Sequence, residues 1–186
     1  MEDPAKEIEG VVLSCTAAIN AESQRTAIER YYAPDAEFHH PLCMVTSKPM
    51  SRDEILGIYQ WYRILSPTLK VEVKDVTYHV EKNELFVEVV QEFHIRWSPL
   101  SPAPARLMVH LILSPSEEDP RLQVIKYHED FYQPEDFLAL LVPPLVPVIR
   151  LFLHVGTIAS NLNARIFGAL GYWAVPTSKS SENKDD

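Results

Sequence analysis

The sequence predicts an α+β fold, with a bent antiparallel sheet packed on N-terminal helices and a hydrophobic helical extension at the C-terminus. Three observations carry that prediction. Apolar residues recur at helical spacing early in the chain, alternate with polar ones through its middle, and then form a nearly uncharged run from Phe137 to Trp173. Helices first and an antiparallel sheet after is an α+β layout. A chain of 186 residues has room for one domain with a substantial core plus an appendage.

Ile8, Val11, Val12, Cys15 and Ile19, then Ala27, Ile28 and Tyr31, predict helix from Glu7 to Tyr32, broken near Asn20–Ser23 into a hairpin. Pro34 ends it, because a residue before proline avoids helical geometry. Asp35 to Cys43 reads as a short strand with a turn at Pro41. Ser51 with Glu54 has the spacing of a capping box, and Ile55, Ile58, Tyr59 and Tyr62 continue the second helix to Ser66–Pro67.

Strands follow. Leu69–Val73 and Val76–Val80 are β-branched, and residues 81–84 turn the chain. Leu85–Trp97 alternates, with Leu85, Val87, Val89, Gln91, Phe93, Ile95 and Trp97 on one face. A proline-rich connection leads to Ala105–Leu113 and Arg121–Tyr132, paired around a polar loop. Gln133–Asp136 opens the C-terminal helices with proline and acids in the first turn.

Pro143, Pro144 and Pro147 interrupt the apolar run and argue against a single straight spanning helix. From Pro147 a helical period places Arg150, His154, Thr157, Asn161 and Arg165 on one narrow stripe. Phe152, Val155, Phe167 and their neighbours fill the wide remaining arc. Together with Trp173 they are expected to meet a membrane interface, a partner or the mouth of a pocket. The expected divisions are a domain over 5–137, an apolar helical extension over 138–173 and a polar, disordered tail over 174–186.

Composition narrows the function classes. A formal net charge of −9 argues against nucleic acid and leaves apolar burial as the drive for any membrane contact. Two cysteines, Cys15 and Cys43, and a charged N-terminus predict a reducing, cytoplasmic setting, at the cytosolic face of an intracellular membrane if the extension binds lipid. Five glycines form no phosphate loop, and the histidines are too dispersed for a metal site, so no metal or cofactor is expected.

Four stretches look familiar: TAAINA (Thr16–Ala21), YYAPDAEFHHP (Tyr31–Pro41), SRDEILGIYQWY (Ser51–Tyr62) and VIKYHEDFYQPEDF (Val124–Phe137). In this order they resemble the NTF2-like superfamily, the cone-shaped fold of ketosteroid isomerase, scytalone dehydratase and the SnoaL-like cyclases. The resemblance covers roughly residues 5 to 137. Beyond it the apolar extension reads as the chain's own, similar to fungal NTF2-like proteins with hydrophobic C-terminal tails. The resemblance implies a pocket between helices and sheet. It implies no reaction, because enzymes, binders and scaffolds share the fold. Ketosteroid isomerases place a carboxylate base before a proline in the first strand, where this chain has His40 before Pro41. Their oxyanion donors match Cys15 and a position near Val109, beside His110. None of the three identities is kept, which argues against steroid-type isomerisation.

The catalytic candidates are His40, His110, His128 and Asp130. His39 and His40 face opposite ways on a strand, so at most one of them points into the pocket. His110 shares a strand face with Met108 and Ile112, where a satisfied core histidine is the alternative. His128 and Asp130 share a face beside Tyr132, and form either a buried acid–base pair or a solvated edge pair. Tyr59, Tyr62, Phe93, Trp97, Met108 and Tyr127 are expected to line a pocket for a flat, greasy ligand. The resulting expectation is a binder of a hydrophobic small molecule or lipid, held at a membrane by its C-terminal helices. The rivals are a cofactor-free isomerase, dehydratase or cyclase acting on a polyketide- or terpenoid-like substrate, and a scaffold that dimerises through its sheet with a self-filled pocket.

Overall fold

A computed structural model describes residues 1–172, so Trp173 and the tail over 174–186 lie outside the described residues. The first helices form a hairpin, α1 (Pro4–Thr16) and α2 (Ala21–Tyr31). The break falls where Asn20 and Ser23 cap each other: the Asn20 side chain accepts from the Ser23 amide at 2.8 Å. Then come β1 (Tyr32–His40), β2 (Cys43–Val45) and α3 (Ser51–Leu65). The strands β3 (Lys70–His79), β4 (Glu84–Glu92), β5 (Pro104–Pro115) and β6 (Gln123–Tyr132) precede α4 (Pro134–Leu141) and α5 (Val146–Ala169).

One six-stranded sheet runs in the order β2-β1-β6-β5-β4-β3. The four strands from β3 to β6 are antiparallel neighbours, as their alternation predicts. The sheet is not antiparallel throughout, however, because β1 lies parallel to β6. That pairing makes β6 an interior strand. Ile8, Val11, Ile28 and Ile55 of the helices pack with Leu85, Val87, Leu111 and Ile125 of the sheet in the main core. A smaller cluster joins Leu69, Phe93 and Ala105 to Ala139 and Leu140 of α4.

Two local expectations are corrected. Ser51 is no cap: Met50, at φ 65°, precedes the helix, while the Ser51 hydroxyl donates to the Ala36 carbonyl at 2.6 Å and Glu54 pairs with Lys48. The long strand ends at Glu92, not Trp97. Beyond it the His94 amide donates to the Ser66 hydroxyl at 3.0 Å and the Arg96 amide to the Leu65 carbonyl at 2.7 Å, so the end of α3 takes the chain from the sheet. The apolar run itself breaks at its prolines as expected, into α4 and then α5, one continuous helix of 24 residues. Pro143 and Pro144 sit in a short 3-10 turn before it, and Pro147 is its second residue, where an amide proton is not required.

Residues Met1–Val146 form one compact unit, so the first unit reaches past 137 to include all of α4. The second is represented by α5, none of whose residues is buried.

Candidate functional site

Strand alternation decides which side chains meet. On β4 the inward set is Leu85, Val87, Val89 and Gln91, and on β5 it is Leu107, Val109 and Leu111. On β6 the inward set includes His128, Asp130 and Tyr132. Between these and the helices lies an apolar cavity of about 330 Å³. Ile8 and Val11 of α1, Tyr59 and Tyr62 of α3, and Leu140 and Leu141 of α4 complete its walls.

A hydrogen-bonded chain enters this apolar space. Tyr59 and Tyr32 join their hydroxyls at 3.0 Å, Tyr32 reaches His128 Nδ1 at 2.7 Å, and His128 Nε2 reaches Asp130 Oδ1 at 2.9 Å. An ionised carboxylate only accepts, so Nε2 carries the imidazole proton. Nδ1 of a neutral ring must then accept from the Tyr32 hydroxyl, whose oxygen accepts from Tyr59. The side chains of His128 and Asp130 are only 8% and 11% exposed. Phe38 tilts against the His128 ring at 4.8 Å, and Tyr32 stacks on it at 6.1 Å.

His128 is hemmed on both sides, with Phe38 of β1 and Leu111 of β5 as its register partners. An edge pair would be wet. An interior one is dry, which is why this pair is buried.

A second polar group stands further along the wall. The Tyr62 hydroxyl donates to Gln91 Oε1 at 2.6 Å, and Gln91 Nε2 donates to the Tyr132 oxygen at 2.6 Å. Phe93 stacks on the Tyr62 ring at 4.5 Å. His40 also lines the cavity, with its ring edge-on to Tyr132 at 5.6 Å. Its Nδ1 accepts from the Leu42 amide at 3.1 Å, so Nε2 carries the proton in the neutral ring.

Burial governs the electrostatics. It pushes the hydroxyls of Tyr32, Tyr59 and Tyr132 well above the ordinary phenol range, and the Asp130 charge adds to the rise at each. Burial also lowers His40, helped by His128 and opposed by Asp130. The Cys15 thiol is pushed up to about 12 by burial, which holds it as an inert thiol.

Of the residues singled out in the sequence, the structure gathers His40, His128, Asp130, Tyr59, Tyr62 and Phe93 around the cavity. His110, Trp97, Met108 and Tyr127 are elsewhere. His110 and Met108 belong to the outward phase of β5, where His110 stacks on Phe86 at 4.6 Å. Tyr127 is on the outward phase of β6 and donates to Glu129 at 2.7 Å. Trp97, beyond the end of β4, is 68% exposed. For His110, Met108 and Tyr127 the alternation was legible but its sign was not, because one face of a strand cannot be called inner before its neighbours are known, whereas Trp97 lies past the strand's end. Phe152, Val155 and Phe167 are exposed on α5. No metal-ligating group of three or more His, Cys, Asp or Glu occurs among the described residues. Sequence reasoning missed Tyr32, Gln91 and Tyr132 as site residues. An amide on an otherwise apolar strand face was the available signal for Gln91.

The family model of the SigF NTF2-like domain matches residues 1–172. The match runs through α5, so the extension is part of the family pattern and not this chain's own addition. A ketosteroid isomerase-like protein from Catenulispora acidiphila, solved with trimethylamine, has a TM-score of 0.51 at 18% identity, over 70% of this chain and 90% of its own. A protein from a Jannaschia species assigned to the SnoaL-like polyketide cyclases has a TM-score of 0.53 at 13% identity, covering 76% and 97%. The hub of S. rosetta CaMKII scores 0.52 at 13% identity, covering 70% and 98%. These likenesses show the fold. No curated protein sequence matches.

Proposed function

This chain belongs to the SigF NTF2-like family, and from that premise we propose that its cavity binds an apolar small molecule and holds a polar end of it at Asp130. One observation carries the reading: a carboxylate that is 11% exposed lines a cavity whose exposed surface is mostly apolar. A buried charge is costly without partners, and among the described residues only one of its oxygens accepts a hydrogen bond. The test is extraction of the purified full-length protein followed by mass spectrometry of what it carries. An apolar molecule, diminished in Asp130→Ala, is the expected result. Empty extracts, together with no thermal shift from any member of an apolar compound panel, overturn the reading.

A second reading, cofactor-free acid–base turnover of the same molecule, is favoured by the Tyr59–Tyr32–His128–Asp130 chain, which orients an imidazole proton at the cavity wall. Incorporation of solvent deuterium into the bound molecule, lost in Asp130→Asn, separates turnover from binding.

We also propose that α5 associates with a membrane, at the cytosolic face of an intracellular compartment. The segment Pro143–Ala169 is long and apolar enough to cross one by length and composition, and none of it is buried. At about 1.5 Å per residue, a helix of this length exceeds a hydrocarbon core of about 30 Å. On the outer sheet face, exposed Met108 and Phe131 are register partners, which supports a homodimer through that face.

A further inference from the structure

We infer that the ligand of this cavity carries both a hydroxyl and a carbonyl, set apart on one apolar skeleton. The inference rests on the cavity being a ligand site and follows from counting protons along its two hydrogen-bonded chains.

In the first chain every proton is directed toward Asp130. Tyr59 donates to Tyr32, Tyr32 to His128 Nδ1, and His128 Nε2 to Asp130 Oδ1. The chain ends in a carboxylate whose second oxygen accepts nothing among the described residues. Asp130 lines the cavity, so this oxygen is left there as an acceptor without a donor. A ligand hydroxyl supplies that donor. A ligand carbonyl placed there would set two acceptors against each other.

The second chain has the opposite surplus. Tyr62 donates to Gln91 Oε1, and Gln91 Nε2 donates to Tyr132. The Tyr132 proton then meets no protein acceptor among the described residues. Turning the Gln91 amide over does not change the sum. One tyrosine must donate to Oε1 and the other must accept from Nε2, so one hydroxyl proton is always left unspent. The neutral His40 ring adds a second unspent donor, its Nε2 proton, beside Tyr132. Two donors without an acceptor fit a carbonyl oxygen, which has two lone pairs.

Asp130 and Tyr132 are two residues apart on one face of β6, so their backbones are separated by about 7 Å along the strand. The hydroxyl and carbonyl therefore sit at different ends of a rigid body and not on adjacent atoms.

Four probes on one skeleton test this with the full-length protein by titration calorimetry: tetralin, tetralone, tetrahydronaphthol, and the hydroxytetralone whose hydroxyl is para to the ring carbon next to the carbonyl. Hydroxytetralone is expected to bind tightest. The carbonyl should contribute about fivefold and the hydroxyl, meeting a charged acceptor, about tenfold or more. Tyr132→Phe should erase the carbonyl increment and spare the hydroxyl increment. Asp130→Asn, which replaces an acceptor by a donor, should erase or invert the hydroxyl increment and spare the other. Equal affinity for all four probes overturns the inference while leaving an apolar pocket intact. Binding of none of them counts against the pocket itself, and the inference falls with it. If a variant melts early, the increments in the unaltered protein still decide, since they need no substitution.

Discussion

His110 and His128 stand on adjacent strands, one register step apart, and point to opposite sides of the sheet. His128 is opposite Leu111 and joins the buried chain to Asp130, whereas His110 is opposite Glu129 and stacks outward on Phe86. The Nε2 atom of His110 is buried and has no hydrogen-bond partner among the described residues.

His110→Phe is therefore expected to keep or raise the melting temperature and to leave ligand binding unchanged. It removes an unpaired polar atom and keeps the ring stacked on Phe86. A loss of binding in calorimetry would return His110 to the site.

Tyr32→Phe should destabilise the domain by about 1–3 kcal/mol, because it strands His128 Nδ1 in a dry site and breaks the link to Tyr59. Denaturant unfolding measures the loss. Tyr32→Phe in His128→Leu should cost less than in the unaltered protein, since the stranded nitrogen is then absent.

The His40 shift carries a sign. Burial, then the nearby His128, holds its folded value below the ordinary 6.5, against the opposing pull of Asp130. The unfolded chain therefore binds the proton more readily between the two values, and stability rises with pH there. The His40 contribution is complete above about 6.5 and is lost as pH falls through the folded value. His40→Gln should flatten the dependence of unfolding free energy between neutral and mildly acid pH. An unchanged slope would place the titration on another group.

Cys15 and Cys43 both line the cavity, and burial raises both thiols. Cys43 is half-exposed and should react slowly with a disulfide reagent, while Cys15, buried and raised to about 12, should react only on unfolding. Hydroxytetralone at saturation should slow Cys43 further. Rapid labelling of Cys15 in the folded protein would contradict its burial.

Truncation separates core from extension. Ending the chain after Asp136 removes Ala139 and Leu140, which pack with Leu69, Phe93 and Ala105, so that fragment should melt early or aggregate. Ending it after Val146 keeps the whole compact unit and should give a folded domain that no longer floats with liposomes, whereas the full-length chain floats. Flotation that persists without α5 would assign membrane contact to another surface.

The sequence by itself determined the class of fold, the hairpin break at Asn20–Ser23, the alternation of β4, β5 and β6, and the apolar helix after Pro147. Each is written in local spacing, and local spacing is set by backbone geometry that every helix and strand shares. Which face of each strand is inner was decided only by the tertiary structure. Because β1 lies parallel to β6, His128 and Asp130 are enclosed and not at an edge, and Tyr32, ninety-six residues away in sequence from His128, becomes its hydrogen-bond partner. The same assembly turns His110 and Met108 outward and takes Trp97 off the sheet altogether. A period of two fixes which residues share a face, but the burial that makes one face a site comes from strands and helices remote in the chain.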